Sequence, residues 1–377
     1  MKFLLAPDSF KESLSAKDAA DAMEKGLKKV FPEAEYIKIP MSDGGEGTTQ
    51  SLVDAIDGKM YYPEVLGPLG KKVNAKLGIL GSEDIAVIEM ASASGLELIS
   101  KKDRNPLVTT TYGTGELIKA ALDKNVGTII IGIGGSATND GGAGMIQALG
   151  GRLLDKNNQQ IGFGGSSLKD LVKIDLSELD SRLINTKIEV ACDVNNPLTG
   201  ELGASYIFGP QKGATPDMVL QLDECLNHYS DVIKKDLNKD IDKVPGAGAA
   251  GGLGAGLMAF LNGKLSPGID IVIRYTNIES QMHGVDFVIT GEGSIDSQTR
   301  FGKTPYGVAK VAKKFNIPVI AIAGSIGADI DILYDYGFDA FFSIMQGVSE
   351  LDIALKNGAM NIERTCYNIG RLIETSK

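Results

Sequence analysis

The chain has 377 residues, a formal net charge of −10 and 43% hydrophobic residues, enough apolar material for more than one core. That charge argues against nucleic acid or an anionic membrane as the main partner, and no apolar run approaches the roughly 18 residues that span a bilayer. Cys192, Cys225 and Cys366 show no metal-type spacing and cannot all pair, and residues 1–5 lack the basic start and long apolar core of a signal peptide. A soluble cytoplasmic protein is expected.

In chain order, a strand over 2–6 leads into the loop Pro7-Asp8-Ser9-Phe10-Lys11, and Ser13 or Ser15 caps a helix running to about Lys29. A strand over 35–39 ends in a polar loop, 40–48, and the next helix carries Leu52, Val53 and Ile56 on one face. Two strand–loop–helix units in succession imply a parallel sheet with ligand groups at the C-terminal ends of its strands. A hairpin-like stretch over 65–80 and a strand over 85–91 follow, and Thr109 to Gly115 precede a helix that ends near Asn125.

Thr128 to Ile131 form a β-branched run that suits a strand buried on both faces. Gly132, Gly134, Gly135, Gly141, Gly142 and Gly144 then interleave with Ser136, Thr138, Asn139 and Asp140, and Met145, Ile146 and Leu149 return at helical spacing. This pattern predicts an anion cradle: glycines admit a phosphate to backbone N–H groups, and the helix start adds partial positive charge. The plainer alternative is a tight strand-to-helix turn that needs glycine for conformation alone.

A strand over 187–191 delivers Cys192-Asp193-Val194-Asn195, a second polar loop spans 208–214, and a long helix covers 218–237. A glycine-rich run over 246–256 merges into a small-residue helix. A strand over 285–290 ends in a loop over 291–299, and Gly302-Lys303-Thr304-Pro305 opens a helix with proline in its first turn. A strand over 318–323 is stopped by Gly324-Ser325, another covers 338–344, and a helix over 350–375 closes the chain. Regular units at both ends and irregular, glycine-rich ones between them predict two α/β domains. A discontinuous Rossmann-like parallel-sheet domain (1–70 and 280–377) would carry a second, mixed α/β domain (71–279) inserted into it.

The motifs separate several chemistries. Gly132 to Ala137 fits the dinucleotide pattern G-x-G-x-x-[GA], as does Gly246 to Gly251 without a preceding strand, and Asp155 is the one nearby acid at the ribose-binding offset. In a chain with 47 glycines such matches are cheap. A Walker loop nearly forms at Gly302-Lys303-Thr304, but Ser297 stands where its first glycine belongs, so Lys303 is at most a point charge on a nucleotide's phosphates. His228 and His283 lie in no polar cluster, which weighs against a Ser-His-Asp hydrolase or a His-ligated metal. Asp8, Asp43 with Glu46, Asp193, and Glu292 with Asp296 occupy four loops after strands. One such acid is usually a cap or an Asx-turn. Four beside glycines and lysines point to a cleft for Mg²⁺ and phosphate, and so to phosphoryl transfer.

The stretches APDSFKESLSA (6–16), PMSDGGEGT (40–48), GIGGSATNDGGAGM (132–145), ACDVNNPLTG (191–200), FGPQKGA (208–214), GAGAAGGLG (246–254) and DFVITGEGSIDSQT (286–299) resemble the bacterial glycerate kinase family in order and over nearly the whole chain. Glu12 and Ser42 stand where glycine and alanine are commoner. The resemblance implies two α/β domains around a cleft and transfer of the ATP γ-phosphate to D-glycerate, family members of this type being associated mainly with the 2-phosphoglycerate product. It does not settle individual roles; Asp8, Ser9 and Lys11 are candidates to hold the glycerate, with Lys11 as charge complement, and Asp43 and Asp193 are candidates for Mg²⁺ or general base. Asp296 is a further candidate for Mg²⁺, Gly134, Gly135, Ser136, Thr138 and Asn139 with Lys212 are candidates for the phosphates, and Lys303 of the near-Walker stretch is a further point charge. The rivals are an NAD-dependent dehydrogenase of a small hydroxy acid and a non-catalytic sugar-acid or nucleotide sensor. A homo-oligomer and the identity of the phosphorylated hydroxyl are left open.

Overall fold

Short apolar strands from the two ends of the chain build one parallel sheet, and the strands between them build another. The computed structural model describes residues 1–81 and 84–375. Ser82, Glu83, Ser376 and Lys377, which the expected domain ranges include, lie outside the described residues. The architecture is α/β in two units: Met1–Asp43, Gln50–Asp57 and Pro267–Lys377 form the first, and Gly44–Thr49 with Gly58–Ser266 the second.

The sheet of the first unit runs in the order Ala340–Ser343, Val319–Ile326, Phe287–Ile295, Lys2–Leu5, Glu35–Lys38, with every pairing parallel. Numbered along the chain, this is a 2-1-3-4-5 order. The direction of winding reverses between Lys2–Leu5 and Phe287–Ile295, and an open parallel sheet offers its ligand crevice at that point. Both faces are buried. Phe3, Leu5, Ile289 and Ile322 join a cluster with Met23, Leu27, Ile362, Cys366 and Ile369, while Leu4, Val288 and Val319, alternating with them, are equally inaccessible.

Helix Ala16–Lys28 starts at Ser15, whose hydroxyl accepts the Asp18 N–H at 3.1 Å. Its buried stripe of Ala19, Ala22, Met23 and Leu27 packs against helix Gly358–Thr375. The two helices come so close at Gly26 that a Cβ there would lie on the Glu363 carbonyl oxygen and 2.9 Å from Cys366 Cβ. Lys25 and Lys29 bind the Glu363 carboxylate at 3.0 and 2.5 Å beside that contact.

The second unit holds a six-stranded mixed sheet in the order Lys264–Ser266, Lys187–Ala191, Thr128–Gly132, Ile85–Glu89, Leu77–Ile79, Lys59–Tyr61. The first four strands are parallel and the last two pair antiparallel. Because Lys59–Tyr61 pairs into this sheet, the second unit begins before residue 71. Because Lys264–Ser266 is its last strand and helix Gly268–Thr276 belongs to the first unit, the first unit resumes before residue 280.

Three local expectations change. The strand expected over 285–290 continues to Ile295, and the one expected to stop at Gly324-Ser325 continues to Ile326. The two strands extend as a paired ribbon, with Ser294 opposite Ser325 and Ile295 opposite Ile326. Here glycine permits close pairing rather than ending a strand: a Cβ on Gly324 would meet the Gly293 carbonyl oxygen at 2.8 Å. The closing helix is broken into Leu351–Lys356 and Gly358–Thr375. Glu12 adopts φ 63°, a left-handed conformation that glycine takes without penalty.

The helix contact at Gly26 gives a direct test. Overpacking against backbone costs about 1–3 kcal/mol, so Gly26→Ala is expected to lower the urea midpoint despite alanine's better helix propensity. Gly347→Ala, where nothing lies within 4 Å of the new methyl, is expected to stay within about 0.5 kcal/mol of wild type.

Candidate functional site

At the switch point of the first sheet, three loops are stitched together by backbone bonds. The Asp8 N–H donates to the Gly291 carbonyl at 2.8 Å, and the Met41 N–H to the Pro7 carbonyl at 2.9 Å. They border a cavity of about 630 Å³ whose polar side carries Asp8, Ser9, Lys11, Asp43, Glu292 and Lys303. Phe10, Ile344, Leu351 and Leu355 form part of its apolar side. Asp8, Ser9, Lys11, Asp43 and Lys303, singled out in the sequence, are thus brought together.

Asp8 is 8% exposed. Its Oδ1 accepts the Ser9 N–H at 2.6 Å and the Ser9 hydroxyl at 3.2 Å, and its Oδ2 accepts the Thr304 hydroxyl at the start of helix Thr304–Lys313. Burial pushes its carboxyl up to about 6, Asp43 adds to the rise, and the Thr304 and Ser9 donors oppose it. Glu292 lies on the ribbon, opposite Ala323. Its Oε1 takes the Thr299 hydroxyl at 3.3 Å and the Lys303 ammonium at 3.4 Å, and Lys303 also reaches the Ser294 carbonyl at 3.3 Å. Burial raises the Glu292 carboxyl to about 7 against the pull of Lys303, with Asp8 and Asp43 adding to the rise.

Asp296 does not line this cavity. Its Oδ1 accepts the Gln298 N–H at 2.9 Å while its own N–H donates to the Thr299 hydroxyl at 3.3 Å, so it caps the short turn Ser297–Arg300.

In the second unit the glycine loop divides in two. Gly134 and Gly135 are exposed, and a Cβ on Gly134 would meet nothing within 4 Å. From Ser136 to Asp140 the loop is buried. Asp140, fully inaccessible, accepts the Thr111 N–H at 2.8 Å, the Thr111 hydroxyl at 2.9 Å, and the N–H groups of Gly142 and Gly144 at 3.2 Å each. Thr111 Oγ1 in turn accepts the Met145 N–H at 2.9 Å. The first amides of the six-residue helix Ala143–Ala148 therefore point at Asp140 and Thr111, which corrects the expectation that the helix start faces an anion. The later glycines serve packing: a Cβ on Gly256 would meet the Gly141 carbonyl oxygen at 2.5 Å, so both glycine runs let two backbones cross.

Lys212, 1% exposed, lies under this loop and donates to Ser136 Oγ and the Thr138 carbonyl at 2.7 Å each. Burial lowers its ammonium to about 7, with the Asp140 charge working the other way. Asn139 Nδ2 donates to Ser205 Oγ at 2.9 Å. Among the described residues Asn139 Oδ1 and Thr138 Oγ1 are buried with no protein partner. Asp193 is exposed and follows Lys187–Ala191, the neighbour of Thr128–Gly132, with Ala191 opposite Gly132.

From the sequence Glu292 is only one of the loop acids, and Glu89, Asp140 and Thr304 carry no individual role. Glu89 ends the strand Ile85–Glu89 opposite Gly132 and accepts the Thr49 N–H at 2.8 Å. An acid closing the apolar run Ile85-Ala86-Val87-Ile88 was the available signal. Asp155 holds its own turn through the Asn157 and Gln159 N–H groups at 2.8 and 2.9 Å. Among the described residues no group of three or more His, Cys, Asp or Glu is placed to hold a metal ion, and no helix is long and apolar enough to cross a membrane.

Asp140 supplies the test of the second unit's loop. Asp140→Ala would leave the Thr111, Gly142 and Gly144 donors buried without an acceptor, at about 1–3 kcal/mol for each such group. Stability in urea is expected to fall by at least about 3 kcal/mol, and Asp140→Asn, which still accepts, by less.

Comparison with known proteins places these features in a family. The model of the Glycerate kinase family matches residues 3–374. Glycerate kinase of Bacillus subtilis (strain 168) is 57% identical over 377 residues, covering 100% of this chain and 99% of that protein. Glycerate 2-kinase of Escherichia coli (strain K12) is 55% identical over 369 residues, 98% of this chain and 97% of its own. The crystal structure of a Salmonella typhimurium LT2 protein assigned as glycerate kinase 2 superposes with a TM-score of 0.92 at 51% identity, over 100% of this chain and 99% of that one. The chain belongs to the glycerate kinase family.

Proposed function

We propose that this chain transfers the γ-phosphate of ATP to D-glycerate, with Mg²⁺, in the cytoplasm. The observation that carries the reading is the switch-point cavity, which combines three carboxylates and two lysines in a chain of this family. The E. coli relative's name, glycerate 2-kinase, supports 2-phosphoglycerate as the product. Three free cysteines suit a reducing compartment.

The residues present fit the groups the reaction needs. Glycerate offers hydroxyls and one carboxylate. Asp8 and Asp43 are acceptors for the hydroxyls, Ser9 adds a hydroxyl of its own, and the exposed Lys11 is the charge complement for the carboxylate. In the second unit, exposed backbone at Gly134 and Gly135 can approach phosphate oxygens, with the buried charge of Lys212 beneath and Ser136, Thr138 and Asn139 shaping the loop. Lys303 is a further point charge in the first unit. Magnesium commonly takes one or two carboxylates and completes its shell with phosphate oxygens and water, so it needs no cluster of acids. Asp193 is the proposed ligand, with Asp43 and Asp296, whose Oδ1 is engaged in its cap, as the alternatives. When bound, the metal neutralises phosphate charge. The chain's own groups then position acceptor and donor, which supplies most of the catalysis in phosphoryl transfer.

An ADP-release assay tests the reading. Turnover is expected with ATP, Mg²⁺ and D-glycerate and is expected to stop with EDTA. Binding of both ligands without ADP release would make the protein a sensor and overturn the proposal. Lys11→Met is expected to raise the glycerate KM by about ten- to a hundredfold, the loss of one charge-assisted contact, with kcat little changed. An unchanged KM would remove Lys11 from the carboxylate site.

A further inference from the structure

Four carboxylates compete for the role of base in this reaction, and their surroundings differ. Asp8 is immobilised: both of its oxygens accept hydrogen bonds, and through Thr304 it ties the loop after Lys2–Leu5 to the start of helix Thr304–Lys313. Asp43 sits on a loop after the edge strand Glu35–Lys38. Asp193 is exposed, where water competes for its contacts.

Glu292 differs from all three. It is carried by the strand Phe287–Ile295, paired on one side with Val319–Ile326, and the carbonyl of the residue before it holds the Asp8 N–H at 2.8 Å. Its backbone is therefore fixed at the switch point. Its carboxylate is 13% exposed, lines the cavity and receives two long bonds, both on Oε1. Bonds of 3.3 and 3.4 Å sit beyond the optimum, so little holds the group back from a hydroxyl.

On the reading of the chain as a glycerate kinase, we infer that Glu292 is the base that accepts the proton of the attacking glycerate hydroxyl, with Asp8 as the fixed positioning residue beside it. The hydroxyl oxygen forms a bond to the γ-phosphorus, the bond from that phosphorus to the bridging oxygen of ADP breaks, and the hydroxyl proton passes to the Glu292 carboxylate and then to solvent. Lys303 lies against the same oxygen atom, where its charge favours the carboxylate before transfer. The charged groups that face Glu292 are Lys303 from the helix start, Asp8 and Lys11 from the first loop, and Asp43 from the second. Burial sets its carboxyl near 7, close to where a base works best.

The test is Glu292→Gln, which keeps size and hydrogen-bonding shape. We expect kcat to fall by about a hundred- to ten-thousandfold with the KM values within a few-fold, and the acid limb of the kcat/KM profile near pH 7 to vanish. Glu292→Asp is expected to retain that limb at a reduced rate. A circular dichroism spectrum and melting temperature matching wild type confirm that the variant folds. A kcat within a factor of a few of wild type, or an acid limb that survives in Glu292→Gln, overturns this inference alone. A wild type inert towards glycerate overturns it together with the kinase reading.

Discussion

Burial of carboxylates at the point where a parallel sheet reverses its winding is the constraint on which the first unit depends. Strand ends there present backbone polar groups and loop side chains to one crevice, and the apolar sheet beneath excludes water. Asp8 and Glu292 are held partly out of solvent beside Asp43, so ionising them is costly and their carboxyls rise to about 6 and about 7. The sign of the linkage follows. Below their ordinary values near 4 both are protonated folded or unfolded, and the full stability is present. As pH rises through about 6 and about 7, the folded chain must ionise groups it disfavours, and stability is lost. A chain selected only for stability would place such acids outside. Their presence in a cavity marks chemistry.

The second unit uses a buried carboxylate differently. Asp140 gathers four donors and fixes the crossing of two glycine-rich backbones, and Lys212 braces the same loop from below. Rigidity in the buried half leaves the exposed pair Gly134 and Gly135 as the part able to meet a ligand. One loop thus divides its residues between holding a shape and presenting backbone.

The strands, helices and discontinuous layout were legible because apolar runs and capping signals are local: Ser15 caps its helix, Lys187–Ala191 is a strand, and Pro305 sits in a first turn. Glycine misled in both directions. Gly291 and Gly324 looked like strand ends yet permit tight pairing, and Gly142 and Gly144 looked like an anion site yet give their amides to Asp140. Whether a glycine N–H faces outward or inward depends on a partner far along the chain. That is also why Thr304 and Glu292 were hard to read: the Thr304 bond to Asp8 spans 296 positions, and the weight of Glu292 comes from burial by several segments. Four acid-bearing loops were visible as a set. Which of them share a cavity depended on the 2-1-3-4-5 order of the sheet.

The central claim, that Asp8 and Glu292 are held away from their ordinary ionisation by burial, with neighbouring carboxylates adding to the rise, is measured most directly by NMR titration of the side-chain carboxyl carbons in the ¹³C-labelled chain. Asp8→Asn and Glu292→Gln variants would assign the signals. The account predicts two titrations with midpoints near 6 and near 7. Midpoints for both residues near 4, as in solvent-exposed aspartate and glutamate, would contradict it.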